Sequence, residues 1–452
     1  MKKLLLLSFV ALGFTTAKAQ QVFWEEKATG FSSVSTSMSH ISYVDANTVW
    51  ISASDGSGAA ATYRNWGRSL DGGTTWTNGV INLGPSSADL GIGSIQGISA
   101  TTAYVAAFSN SATSQGGIYK TTDSGATWVK QPTASFNTAD SFANLVYFWD
   151  ANNGVCQGDP ANGYFEIYTT SNGGTNWVRV PSANIPVQLD GEYGYVHNFD
   201  VDNNTIWFGT NKGRIYKSTD RGLTWVVGQS PIADFGSAAI SGNYSFRNQQ
   251  EGLLISSNWE QFRTNDGGAT WGPLEVVDGI RNFNLTFVPG VDNFVVTTGE
   301  DALDIQRGSS YSTDGGRTYV DINLIDADAV DGGGALAFFD GTHGLASGFT
   351  ASSTSGGVWK WIADASTLAT VNFNSAKSIT ASPNPTSGAL RIAGKNINAV
   401  NVYDVLGKQV LAKKFSTLNE VELDLSALKS GVYMVNVANN AGATSTVKVV
   451  KQ

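Results

Sequence analysis

The chain has 452 residues and one cysteine, Cys156, so it cannot close an internal disulfide and must be held by a packed core. Long apolar runs are also missing. Beyond the first twenty residues, no stretch approaches the roughly 18 consecutive apolar positions of a spanning helix. There is no HExxH pair, no EF-hand loop and no phosphate-cradling glycine loop, so no metal or cofactor is expected. Positive charge is scarce where a nucleic-acid binder would need it. From Ala376 to Gln452 there are nine Lys/Arg against four Asp/Glu, and Lys2, Lys3 and Lys18 belong to the N-terminal segment. The body between holds 16 basic and 33 acidic residues, a net charge of −17 that repels phosphate backbones. The change of sign also predicts a domain boundary near residue 372.

What is present begins with "MKKLLLLSFVALGFTTAKAQ": two lysines, an apolar run too short to span, and a small-residue cleavage site. This pattern is a secretory leader, residues 1–19, and it predicts export of a soluble mature protein. Fifty-one glycines and 13 tryptophans among 41% apolar residues predict many short strands joined by tight turns.

One nine-residue frame recurs. "RSLDGGTTW", "KTTDSGATW", "TTSNGGTNW", "KSTDRGLTW", "RTNDGGATW" and "YSTDGGRTY" place Asp71, Asp123, Asn172, Asp220, Asp266 and Asp314 at separations of 52, 49, 48, 46 and 48 residues. The closing aromatics are Trp76, Trp128, Trp177, Trp225, Trp271 and Tyr319. Such a period marks a repeat architecture. Asp or Asn accepts hydrogen bonds from turn amides, glycine supplies left-handed backbone, and the aromatic packs where the next strand starts. A second motif, strand–polar turn–strand, precedes each frame by about 25 residues. It occurs seven times, from "YVDANTVWIS" to "AFFDGTHGLASG". One unit is therefore a four-stranded antiparallel blade. Seven units closing in a ring, over residues 21–372, predict an all-β, seven-bladed β-propeller, which hides the edges a lone blade would expose. The seventh unit has "GGVWKWI" in place of the frame, so "VFWEEKA" near the N-terminus is expected to supply its fourth strand.

The frames resemble the Asp-box, or BNR repeat, with Ser/Thr-x-Asp-x-Gly-x-Thr-Trp matched fully at Ser69–Trp76, Thr121–Trp128, Ser218–Trp225 and Thr264–Trp271. That superfamily includes sialidases, xyloglucan-hydrolysing enzymes, sortilin-type receptors and photosystem-assembly-factor-like propellers. "GGIYKTTDSGATW" and "GDPANGYFEIYTTSNGG" are most similar to the last. The resemblance implies that the boxes are structural hairpins away from the active face. Sialidase activity is not expected, because "GRIYKS" is not the Arg-Ile-Pro start those enzymes carry, and the two-propeller xyloglucan enzymes need a longer chain.

Beyond residue 376 the text changes to alternating strands and glycine turns, which predict a small β-sandwich. Ser382-Pro383-Asn384-Pro385 with Gly388, Tyr403-Asp404 with Gly407-Lys408, and Leu425-Ser426 with Leu428 and Gly431-Val432-Tyr433 resemble the C-terminal sorting domain (type A) of the Bacteroidetes type IX secretion system. The resemblance implies that residues 376–452 engage that machinery. It also implies passage through the periplasm to the medium or the outer-membrane surface.

In a blade the first-to-second and third-to-fourth turns share one face, so binding chemistry is expected on the other, where loops sit on a rigid scaffold. The candidates there are Asp140, Asp159, Glu192 and His197 for catalysis, and Asp55, Tyr195, Arg247, Arg281, Glu300 and Asp331 for ligand contact. Acids beside aromatics suit a glycan or protein ligand. They would also suit glycoside hydrolysis, in which two carboxylates flank the scissile bond. A binding or assembly module is the first reading; a glycan-active enzyme is the alternative.

Overall fold

The computed structural model describes residues 22–452 except 58–61, 86, 112–115, 277–278, 303–306, 323–333, 372–378, 406 and 440–443. The expected leader, residues 1–19, and Asp331 lie outside the described residues. The chain divides into two compact units, the division falling after Ala365.

Among the described residues the first unit holds seven four-stranded antiparallel sheets. Their inner strands are Thr36–Tyr43, Leu90–Gly97, Ala143–Phe148, Gly194–Asp202, Gly242–Phe246, Asn284–Phe287 and Leu336–Asp340. Each packs against the next and the seventh against the first, so the blades close into a ring. The seventh blade takes its outer strand from Trp24–Ala28, which pairs with Ser355–Trp361 in the register Trp24↔Trp361 to Ala28↔Gly357. The missing seventh frame thus has the consequence expected of it.

Burial follows position in the blade. A second strand such as Thr205–Thr210 is buried at every residue, because neighbouring blades cover both its faces. Its text, "TIWFGT", is accordingly apolar without strict alternation. The outer strands run from two to five residues, which limits the exposed edge, and Val129, Val178 and Val226 on them face solvent.

All six frames fold alike. Around Asp220, the Ser218 hydroxyl donates to the carboxylate (2.8 Å) and accepts the Gly222 amide (2.8 Å). The Leu223 and Thr224 amides and the Thr224 hydroxyl also donate to the carboxylate, at 3.0, 2.9 and 2.6 Å. The residue after the acid is left-handed in every copy, including the non-glycines Ser124 and Arg221. Its amide donates to a carbonyl of the first turn of the same blade: Gly72 to Asn47, Ser124 to Thr101, Gly173 to Asn152, Arg221 to Asn204, Gly267 to Gln250 and Gly315 to Asn293, at 2.7–3.1 Å. The frame therefore welds the two turns on one end of its blade. In two frames the opening lysine extends the weld to the next blade. Lys120 lies over the Tyr104 ring and donates to the Gly173 carbonyl; Lys217 lies over Trp207 and donates to that of Gln249.

A short helix, Ala365–Val371, spans the division between the units. A five-stranded antiparallel sheet follows. Its long strands Ala389–Asp404 and Gln409–Asp424 change register midway, where Asn396 and Thr417 adopt left-handed backbone. The two halves of the sheet share one core that includes Leu390, Ile392, Val402, Leu423, Val435 and Val449.

Candidate functional site

The acids proposed for catalysis are mostly in use elsewhere. Glu192 is buried on the link into the fourth blade. It accepts from the Thr210 hydroxyl (2.8 Å), the Leu189 amide (2.8 Å), the Arg214 guanidinium (2.8 Å) and the Tyr216 phenol (3.4 Å). A carboxylate with both oxygens so engaged is a structural ion pair that holds this link to the fourth blade. Asp159 accepts from Asn144 Nδ2 (2.8 Å) and the Gly194 amide (3.0 Å), and burial raises its pKa to about 6 against those two bonds. Asp140 is exposed on the turn before the third inner strand.

The ligand-face candidates do not converge either. Asp55 accepts from the Ser57 amide, and Tyr195 donates to Asp234 (2.7 Å). Arg281 is buried with Asp321 at 2.9 Å and Asp301 at 3.9 Å, while Glu300 faces Arg307 at 3.7 Å. Arg247 is misplaced by the sequence reading. It starts the first-to-second turn of the fifth blade, its amide bonded to the Glu251 carbonyl, and so lies on the face that carries the frames. Its guanidinium pairs with Glu251 and Asn293.

Asp159 is one member of a larger set. Every joint between neighbouring blades carries a side chain bonded to the backbone of the next blade. The Ser42 hydroxyl accepts the Gly97 amide, Ser94 that of Val146, Asp159 that of Gly194, Asp200 that of Phe246, Ser245 that of Phe287 and Ser347 that of Met38. Between the sixth and seventh blades Asn284 Nδ2 donates to the Gly334 carbonyl. Ring closure is thus polar as well as apolar.

A cavity of about 1040 Å³ runs along the ring axis. Ser54, Phe235 and Gly236 line it toward the loop face, and Arg247 and residues 288–292 toward the frame face. One inner strand intrudes on it. In the fourth blade Gly194 pairs with Thr210 and Phe199 with Phe208, so Tyr195 to Asn198 stand opposite Gly209 alone. This bulge puts His197 at φ 62 and brings its ring to 5.8 Å from that of His40, which belongs to the first blade. His40 also stacks on Phe199 at 5.3 Å. Burial lowers the pKa of His197 to about 4. Burial, then the neighbouring His197, lowers that of His40 to about 3, so both imidazoles are neutral at pH 7. Further along the bulged strand, burial raises the pKa of Asp200 to about 6. These groups sit deep in the body and keep accessible surface because the cavity reaches them.

Sequence reasoning finds His197 and Tyr195 on this wall and misses Asp200, Asp202 and Tyr147. The signal for the acids is present in "FDVD", where two carboxylates alternate with apolar residues inside a strand.

Comparison with known proteins bears on both units. The model of the secretion system C-terminal sorting domain matches residues 381–452. No protein of curated function matches the chain. Among solved structures, YCF48 bound to a D1 peptide superposes with TM-score 0.52 at 17% identity, covering 76% of this chain and 99% of that one. YCF48 from Cyanidioschyzon merolae gives 0.52 at 13%, over 75% and 99%. A GH74 xyloglucanase from Xanthomonas campestris gives 0.45 at 12%, over 95% and 74%. The two YCF48 structures share the propeller fold with this chain, and the matched tail implies export, to the medium or the cell surface.

Proposed function

We propose that this seven-bladed ring, on a chain that ends in a secretion-system sorting domain, is an exported binding or assembly module whose ligand enters the axial cavity. The observation that carries the reading is the contrast between the two candidate regions. Glu192, Asp159, Arg281 and Glu300 on the loop face hold the scaffold together, whereas the axial wall offers aromatic, amide and carboxylate groups around open space. A concave site with a few polar groups among aromatics on a rigid frame is the usual form of a ligand pocket. In this reading residues 1–19 are the leader, 21–372 an Asp-box propeller, and 376–452 the type IX address used from the periplasm onward. A protein of the same fold is described with a bound peptide, so peptides stand beside glycans as ligands to test.

Glycoside hydrolysis is the second reading. The observation in its favour is Asp159, whose pKa near 6 suits a general acid, with Asp140 on the adjoining loop. The deciding experiment puts the full exported protein on glycan and peptide arrays and runs a hydrolysis screen in parallel. Binding without turnover, lost when Thr286 on the cavity wall is replaced by Trp in a protein that still melts normally, is the expected result. Turnover abolished by Asp159→Asn would establish the second reading instead.

A further inference from the structure

Asp200 does a job that four other blades assign to serine. Ser42, Ser94, Ser245 and Ser347 each accept the amide of the next inner strand through a neutral hydroxyl, and Asp200 accepts that of Phe246 through a carboxylate that also takes the Val201 amide and the Ser245 hydroxyl. The joint therefore does not require the charge. Keeping one in the body of the ring is unfavourable, and the rise in the Asp200 pKa registers that cost. Asp202, two residues on and also on the cavity wall, makes no joint bond; its carboxylate accepts from the Asn203 side-chain Nδ2 at 3.1 Å.

We infer that the axial cavity takes a ligand bearing a protonated amine, seated against Asp200 and Asp202; this rests on the axial-cavity reading above. Among the described residues neither carboxylate has a salt-bridge partner, and the only Lys or Arg on the cavity lining is Arg247, which is committed to Glu251 and Asn293. His40 and His197 contribute no positive charge, and Asp292 adds a carboxylate at the frame-side rim. The lining is thus acidic and lacks a counter-cation of its own. It also carries the rings of Tyr147, Phe199, Tyr244 and Phe287, whose faces attract cations. The Tyr147 phenol is pushed up to about 12, by burial first and then by the charges of Asp200 and Asp202, which puts ring and carboxylates in one neighbourhood. A metal ion fits less well, since no three His, Cys, Asp or Glu among the described residues gather closely enough to hold one. An organic ammonium accepts longer contacts and leaves the rest of the volume for its carrier.

The test is calorimetric titration of the full exported protein with Nα-acetyl-lysine methylamide, its Nε-acetylated neutral counterpart, and butylamine. The free amine should bind at least tenfold more tightly than the neutral counterpart. Butylamine binding as well as the lysine derivative would assign the site to small amines, and weaker butylamine binding would assign it to lysine side chains. Asp200→Asn, which keeps an oxygen for the Phe246 amide, should weaken binding at least tenfold without lowering the melting temperature at pH 7. Affinity should also fall as the pH drops through 6. If Asp200→Asn does not fold, Asp202→Asn, outside the joint, carries the same expectation. Equal binding of the neutral counterpart, or full affinity in both Asn variants, overturns the inference. A neutral ligand that binds the wild type but not Thr286→Trp would leave the axial site standing without the amine. Indifference of every ligand to that substitution would remove the axial site itself.

Discussion

Replacement of Asp220 measures what one frame contributes. The carboxylate accepts four hydrogen bonds, from the Ser218 and Thr224 hydroxyls and the Leu223 and Thr224 amides. At about 1 kcal/mol net each, the sum would approach 4 kcal/mol. Three of the four lie at the exposed end of the hairpin, where the freed donors can turn to water, so Asp220→Ala should cost about 1–2 kcal/mol. Asp220→Asn should cost less, about 0.5–1 kcal/mol, since the amide oxygen still accepts from the backbone and from Ser218. The third frame shows that arrangement: Asn172 accepts from the Thr170 hydroxyl at 3.0 Å and the Asn176 amide at 2.9 Å. The same carboxylate also predicts a pH dependence. Burial pushes its pKa up, but the bonds from Thr224, Ser218 and Leu223 outweigh burial and hold it below the ordinary value. Its contribution is therefore complete above the unfolded pKa and is lost as the pH falls through the folded one. Urea titration at pH 7 and pH 3, with ligand binding measured on the folded protein, is the assay. Equal costs for Ala and Asn, or lost binding at unchanged stability, would refute the structural account of the frame.

Trp225→Ala should cost about 3–5 kcal/mol in the same titration, because the indole is buried against Phe208 and bonded to the Gly222 carbonyl. Asp159 has a folded pKa raised to about 6, above its unfolded value, so the folded state binds the proton more tightly and stability rises as the pH falls from 7 toward 4. Asp159→Asn, neutral like the protonated acid, should remove up to about 2 kcal/mol of that rise, seen as wild-type and variant melting curves that converge toward pH 4 and separate at pH 7, where the variant is the more stable. Deletion of residues from about 376 onward should leave a folded ring in the periplasm of a host that has the secretion system. Normal export of the truncated chain, followed by fractionation and immunoblot, would show that the tail is no address.

The repeat is legible because its chemistry is local. Asp, Gly and Trp act within one hairpin, and a turn reads the same wherever it occurs, so six frames and seven turns suffice to count the blades. Even the closing strand at Trp24–Ala28 follows from the frame that the seventh unit lacks. The site is not local. Asp200 reaches Phe246, His40 meets His197, and Ser347 reaches Met38, all through ring closure. Nothing near Glu192 in the text announces that Arg214 and Thr210 will occupy it. Arg247 falls on the frame face because the inner strand ends one residue before it, at Phe246. The three-residue bulge before Phe199 has no glycine or proline to mark it.

Pairing of Trp24–Ala28 with Ser355–Trp361 joins the two extremes of the ring in sequence, the longest-range strand contact the unit can make. Loop-closure entropy opposes such a contact, and chains dominated by distant pairings fold slowly. No partial product can complete the ring, since the seventh blade lacks its outer strand until residue 361 has been made and the first segment is free to find it. Until then two blade flanks and a strand edge stay open to other chains, the exposed surfaces on which association and proteolysis begin. Closure of the ring is therefore a late event, timed by the last blade, and the closed ring depends on how firmly five residues near the N-terminus hold.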